Sequence, residues 1–402
     1  MSPALTPAAS RRLRWFAACV LFTSSTLNYL DRATVNALAP TILKEFSLNR
    51  EQFGYVLSAF NIVYALSAPI MGWWIDRLGL RLGAALAVGL WSLAGMSTAL
   101  VSTFGQLLFA RGALGFAEAG GIPSTAKASA VYLEPKDRAL GGAVSQLGLS
   151  IGIILAPVLT STIATTYGWR WSFLIFGLLG FVWIPIWWLV ARRIPERHDP
   201  TPVRVSNTEI LRDRRFLTLI AANLLAMTTY SLWTNWNTLF FVTQYKLTQE
   251  QANLHFAWIS PIFGSAGGLV GGWFAQRLMH RTDAIIPTRM KIAFWGALAA
   301  SATALAPQSP TPAGAVVAIS ISFFATTAMS VNYYSLPLDL YGPARTGFAV
   351  SFLTSAYGIM QVFLSPMIGR WGERYGWEPV CATIAILPLA SWFLLRTALK
   401  SK

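Results

Sequence analysis

The sequence predicts an all-α membrane protein with twelve transmembrane helices in two six-helix, pseudo-symmetric halves. Three observations carry this prediction. Of the 402 residues, 54% are hydrophobic and only 12% are charged, with a mean hydropathy of +0.51, whereas an average soluble domain has about 25% charged residues. Apolar stretches long enough to cross a bilayer, about 20 residues each, follow one another along the chain. Short motifs also recur half a chain apart.

The apolar stretches fall at about 14–42, 52–76, 81–102, 105–133, 138–165 and 172–194, and again at 215–245, 250–278, 284–306, 312–338, 345–369 and 376–397. Between the two sets lies a polar segment holding Pro195, Pro200 and Pro202 and dense charge. The expected organisation is therefore a first six-helix half over 1–194, a linker over 195–214 and a second half over 215–402. Arg11, Arg12 and Arg14 precede the first run, as in a signal peptide. That run continues to about Leu43, too long for a cleaved h-region, so it is expected to be a retained span.

With the N-terminus inside, the inner-facing segments hold 22 of the 31 Lys and Arg residues and the outer-facing ones six. Positive charge favours the cytoplasmic side, so both termini are expected there, in a bacterial inner membrane. The net charge of +15 then reflects topology and not a nucleic-acid surface. Cys19 and Cys381 sit inside apolar runs, and His198, His255 and His280 lack ligand spacing. No metal or other cofactor is expected.

Leu48-Asn49-Arg50-Glu51-Gln52 returns as Leu247-Thr248-Gln249-Glu250-Gln251, each copy reading as a helix start with a polar N-cap and Gln three residues later. Gly72-Trp73-Trp74-Ile75-Asp76-Arg77-Leu78-Gly79-Leu80-Arg81 returns as Gly272-Trp273-Phe274-Ala275-Gln276-Arg277-Leu278-Met279-His280-Arg281, and Tyr167-Gly168-Trp169 as Tyr375-Gly376-Trp377. Three ordered repeats at one half-length argue for duplicated halves, with a substrate site expected between them near mid-membrane.

Four ionisable residues interrupt the first half: Asp31 and Arg32 in one apolar stretch, Arg111 and Glu118 in another. Each costs roughly 2.5–3.5 kcal/mol at membrane depth, so such groups are kept mainly where they pair or face a cavity. They could act only as locks between two helices. Two acids with two arginines more readily make a proton-handling, anion-binding site, the chemistry of a transporter. Seven residues separate Arg111 from Glu118, almost two turns, so both face one way about 10 Å apart along the axis. Asp31 and Arg32 point about 100° apart and must face different partners.

The pattern over Gly72–Arg81 resembles the loop between the second and third helices of the major facilitator superfamily, and its degenerate copy and the six-plus-six count agree. Asn28 to Arg32, Ser58-Ala59-Phe60 with Tyr64, and Arg111 through Gly115, Glu118 and Pro123 resemble the anion:cation symporter family within it, whose bacterial members take up sugar acids with protons. The resemblance implies the major facilitator fold, proton coupling through Asp31 and Glu118, and carboxylate binding by Arg32 and Arg111. Gly72, Asp76, Arg77, Gly79 and Arg81 would form a conformational latch. Hydroxyl and aromatic partners for a sugar are expected among Tyr29, Tyr64, Gln146, Asn235, Trp236, Tyr333 and Ser355. Lys127 is expected to snorkel to the interface. In helix eleven the family's commoner Asn is replaced by Ser351, Thr354 and Ser355, which leaves the substrate open.

The combined expectation is a monomeric secondary transporter, not an enzyme, that moves a small organic anion with protons across the lipid bilayer by alternating access. A sugar acid such as a hexuronate or aldonate fits best. The alternatives are a symporter of an aromatic acid, dicarboxylate or monocarboxylate, or an exporter or antiporter.

Overall fold

The computed structural model describes residues 7–134, 137–194, 208–282 and 285–400. Most of the expected linker, 195–207, lies outside them. In chain order the helices are α1 (Pro7–Ala37), α2 (Ala39–Glu45), α3 (Arg50–Leu78), α4 (Leu80–Ser97), α5 (Phe104–Glu118), α6 (Gly121–Tyr132), α7 (Arg138–Tyr167) and α8 (Trp169–Ala191). They continue with α9 (Thr208–Arg212), α10 (Arg214–Asn235), α11 (Asn237–Gln244), α12 (Gln249–Ala252), α13 (Ile259–Thr282), α14 (Ile285–Ala300), α15 (Pro312–Tyr341), α16 (Pro343–Tyr375) and α17 (Trp377–Lys400). Apart from the short α9, these join into twelve long helical stretches at the twelve expected spans, with α1–α2, α5–α6, α10–α11 and α12–α13 each interrupted. Among the described residues, eight helices are long and apolar enough to cross a membrane by length and composition alone.

The repeats recur as geometry. The Asn49 and Gln52 side chains and backbones bond reciprocally at 2.7 and 2.9 Å, and Thr248 and Gln251 do the same at 3.1 and 3.0 Å. Each is a capping box that satisfies two orphan amides at a helix start. Just before each box a non-glycine residue turns left-handed, Ser47 at φ 51° and Lys246 at φ 56°. The corner glycines Gly168 and Gly376 take φ 94° and 79°, a region closed to most side chains, before the Trp that opens the next helix. Arg77 lies over Trp73 at 5.4 Å and Arg277 over Trp273 at 5.3 Å. Such agreement is what two copies of one six-helix unit require.

Packing divides the chain into two units. Unit 1 comprises Met1–Leu38 with Ala59–Thr201, and unit 2 Ala39–Ser58 with Pro202–Lys402. In unit 1, α1 lies against α7 and α4 against α8. Its core is built on Trp91, Tyr132, Trp183 and Trp187, with the last two stacked at 5.6 Å. In unit 2, α13 lies against α15 and α10 against α17, around Leu219, Met329, Tyr333, Leu336 and Leu395. Ala39–Ser58 joins unit 2 through polar bonds. Arg370 pairs with Glu51 at 2.8 Å, Arg50 donates to the Gly372 carbonyl at 2.7 Å, and Thr41 donates to Gln249 at 2.8 Å.

Asp213 caps α10 by accepting the Arg215 amide at 2.8 Å, and it also accepts the Arg215 guanidinium at 2.8 Å and the Tyr341 hydroxyl at 3.0 Å. The Arg215 hydrogen bond holds the Asp213 carboxyl below its usual range, against a smaller opposing effect of burial. A carboxylate whose pKa is lower in the folded chain stabilises at neutral pH and loses that contribution as pH falls through its folded value. Asp213→Ala is expected to lower thermal stability at pH 7 by about 1 kcal/mol. Thermal unfolding at decreasing pH should show the difference from wild type shrinking below the ordinary Asp range, near pH 4. A difference that stays constant with pH would assign the effect to packing.

Candidate functional site: a buried charge cluster in unit 1

Unit 1 brings the four intramembrane charges together. Asp31 is 2% exposed, Arg111 1% and Glu118 not at all; the Arg32 side chain is the most open at 24%. Arg32 donates from Nε and Nη2 to one Glu118 oxygen, at 3.1 and 2.9 Å. Its guanidinium lies against three rings, 4.7 Å from Tyr29, 4.6 Å from Phe60 and 4.8 Å from Tyr64. Arg111 lies 4.9 Å from the Phe60 ring, and its Nε and Nη1 have no hydrogen-bond partner among the described residues. The second Glu118 oxygen and Oδ1 of Asp31 are likewise unpartnered among them. Asp31 rests over Gly95 of α4, its carboxyl atoms 3.8 Å from where a Cβ would stand.

Local sequence explains these positions. The expected continuous helix over 105–133 breaks after Glu118. Gly120-Gly121 weakens the helix there, and Pro123 removes the amide that would bond back to Ala119. Glu118 therefore ends a helix in the interior, where irregular backbone is tolerated only when buried in protein or lining a cavity. Gly115 sets the approach of α5 to α3, since a Cβ there would stand 2.4 Å from the Phe60 carbonyl oxygen. That contact places Arg111, one turn earlier, against the Phe60 ring.

The other expected residues are distributed as follows. Tyr29 and Tyr64 flank Arg32, and Gln146 is exposed on α7. In unit 2 the Asn235 amide lies 3.5 Å from Gln361. Trp236 is fully buried, edge-on to Phe53 and Trp377. Tyr333 is buried in the core with its hydroxyl 3.0 Å from Ser391, and Ser355 is exposed on α16. Among the residues of the expected latch, Gly72 lies near Pro123, Gly79 takes φ 79° as the N-cap of α4, and Arg81 lies over Trp188 at 5.1 Å. Lys127 does more than snorkel. Its ammonium donates to the Ile75 carbonyl at 2.9 Å and to Asp76 at 3.1 Å, tying α6 to the end of α3.

Sequence reasoning missed three groups. Phe60 was read only as part of a motif. In unit 2, Gln361 donates to Tyr357 at 2.6 Å and accepts from the Ser231 hydroxyl. Arg289 is buried and pairs with Asp339 while donating to Asn332 at 3.2 Å. The second half therefore has a largely buried ion pair of its own, each side chain 11% exposed. Asp339 so close to Pro343 was the available signal, but a lone Asp near a helix end does not name its partner.

With this geometry in place, the comparisons with known proteins are specific. The Major Facilitator Superfamily profile matches residues 21–359, and the chain belongs to that family, a family of transporters and not of enzymes. It is 26% identical to the hexuronate transporter of Escherichia coli K12 over 97% of this chain and 95% of that one. It is 29% identical to the galacturonate transporter of Dickeya chrysanthemi over 65% of this chain and 81% of that one. A bacterial homologue of the human lysosomal transporter Spinster, in its inward-facing and occupied crystal structure, superposes with a TM-score of 0.78 at 19% identity, over 97% of both chains. The expected fold and family are thus the observed ones: a multi-pass, twelve-helix major facilitator protein.

Gly115→Ala should disturb the site without touching a charge. The clash with the Phe60 carbonyl is with backbone and cannot be relieved by a rotamer change, so overpacking should cost about 1–3 kcal/mol. Thermal unfolding should show the loss. Wild-type stability in this variant would mean that α3 and α5 separate freely.

Proposed function

We propose that this chain is a proton-coupled symporter of an organic anion, a sugar acid of the hexuronate or aldonate class, in a bacterial inner membrane with both termini cytoplasmic. The observation that carries the reading is Arg111, a buried guanidinium whose Nε and Nη1 have no hydrogen-bond partner among the described residues, in the same cluster as Arg32 paired with Glu118. The relatives named for hexuronate and galacturonate transport support the substrate class.

The pair suggests how a proton and an anion are linked. Glu118 and a substrate carboxylate compete for Arg32. Protonating Glu118 releases the Arg32 guanidinium, which with Arg111 offers fork-shaped, two-bond donation to the incoming carboxylate. Losing that proton inside restores the Arg32–Glu118 pair and weakens the hold on substrate. One proton with a monovalent anion moves no net charge. A second, on Asp31, would make uptake electrogenic, adding about 2.3 kcal/mol per 100 mV. Substrate hydroxyls would find partners among Tyr29, Tyr64 and Gln146, with Asn235 and Ser355 as further candidates. Asp76 and its loop would serve as the latch. A different anion is the second reading, favoured by the 25% identity to a probable sulfoacetate transporter of Cupriavidus necator.

Purified protein in liposomes tests both parts. Arg111→Ala should raise the dissociation constant for D-galacturonate by about a hundredfold, the scale of removing one partner from a buried charge contact; unchanged affinity would refute the carboxylate clamp. Glu118→Gln should keep substrate exchange but lose accumulation driven by a pH gradient. Uptake indifferent to an inside-negative potential would exclude the two-proton version.

A further inference from the structure

Phe60 touches both cations of the cluster. Its ring centroid is 4.6 Å from the Arg32 guanidinium carbon and 4.9 Å from that of Arg111, so the two like charges can be no further apart than those distances together. The residue is 2% exposed and stacks on Tyr64 at 5.7 Å with a 25° interplanar angle. The Gly115 contact fixes its backbone against α5. A buried side chain of this size would ordinarily be read as core. Leu or Ile would fill a core as well, however, whereas only an aromatic face attracts a guanidinium.

We infer that Phe60 is a positioning residue for anion binding: its ring holds the Arg32 and Arg111 guanidinium groups in register while Glu118 gives way to substrate. This rests on the carboxylate clamp proposed above. With Glu118 engaged, Arg32 has an ionic partner. When that partner is withdrawn, the rings of Phe60, Tyr29 and Tyr64 keep the guanidinium in place, and Phe60 is the ring among the described residues that also lies against Arg111. Losing the ring face leaves two mutually repelling cations without a common support.

The test separates ring electrostatics from packing. Phenylalanine with one, two or three ring fluorines at position 60 withdraws the negative face in steps at nearly constant volume. Affinity for D-galacturonate, measured by calorimetry on purified protein, should fall stepwise and be about tenfold weaker with the trifluoro residue, with thermal stability unchanged without ligand. Phe60→Leu should bind at least as weakly. Constant affinity across the series, with the wild type binding, would overturn the role of Phe60 and leave the clamp standing. A wild type that binds neither D-galacturonate nor D-glucuronate would overturn the clamp and this role with it.

Discussion

A guanidinium held out of water in a membrane-spanning helix needs compensation from its neighbours, and much of unit 1 is arranged around that need. Arg32 has a carboxylate on one side and aromatic faces around it. Arg111 has the Phe60 face beside it, and its Nε and Nη1 have no hydrogen-bond partner among the described residues. Removing one member of a buried charge pair typically costs 3–5 kcal/mol, so Glu118 and Arg32 hold each other in place. The break after Glu118, the close approach at Gly115 and the space over Gly95 follow from the same requirement: each gives a charged side chain room without displacing a helix.

Unit 2 uses the repeated scaffold differently. Counting from the two N-cap threonines, Thr103 and Thr311, the positions of Arg111 and Glu118 fall at Ile319 and Thr326, both buried. Caps, corner glycines and the arginine–tryptophan stack survive in both copies because they determine where helices begin and turn. The charges of Arg111 and Glu118 have no counterpart at these two positions, since nothing in the scaffold demands one. Buried polarity in unit 2 instead gathers at Gln361 with Ser231, Asn235 and Tyr357, and at Arg289 with Asp339 and Asn332. The carboxylamide network is suited to orienting hydroxyl groups, the ion pair to joining α14 to α15.

Local features were legible because they depend on neighbours in the chain. Apolar runs, capping boxes and the Gly–Trp corners are written within a few residues, and the folded chain shows each in place. The four intramembrane charges stood out for the same reason, as expensive residues in apolar runs. The burial of Arg289 was not legible, because a basic residue near a helix start looks like a topogenic charge until Asp339 is beside it. Nor was the bond from Lys127 to Ile75 and Asp76, which depends on α6 passing the end of α3. Phe60 was hidden by its type: in a chain with 24 Phe, no single one is conspicuous.

Composition, hydropathy period and repetition by themselves determined the helical membrane class, the six-plus-six order and the presence of a buried ionic site, since each is a sum over local free energies of transfer and capping. The pairing was decided only in three dimensions. Arg32 meets Glu118 across 86 residues of chain, Arg111 keeps two nitrogens without a hydrogen-bond partner among the described residues, and Ala39–Ser58 joins the second unit through an ion pair and side-chain hydrogen bonds. A charge-assisted hydrogen bond needs donor and acceptor within about 3 Å, so which charge compensates which depends on helix packing that no linear pattern records.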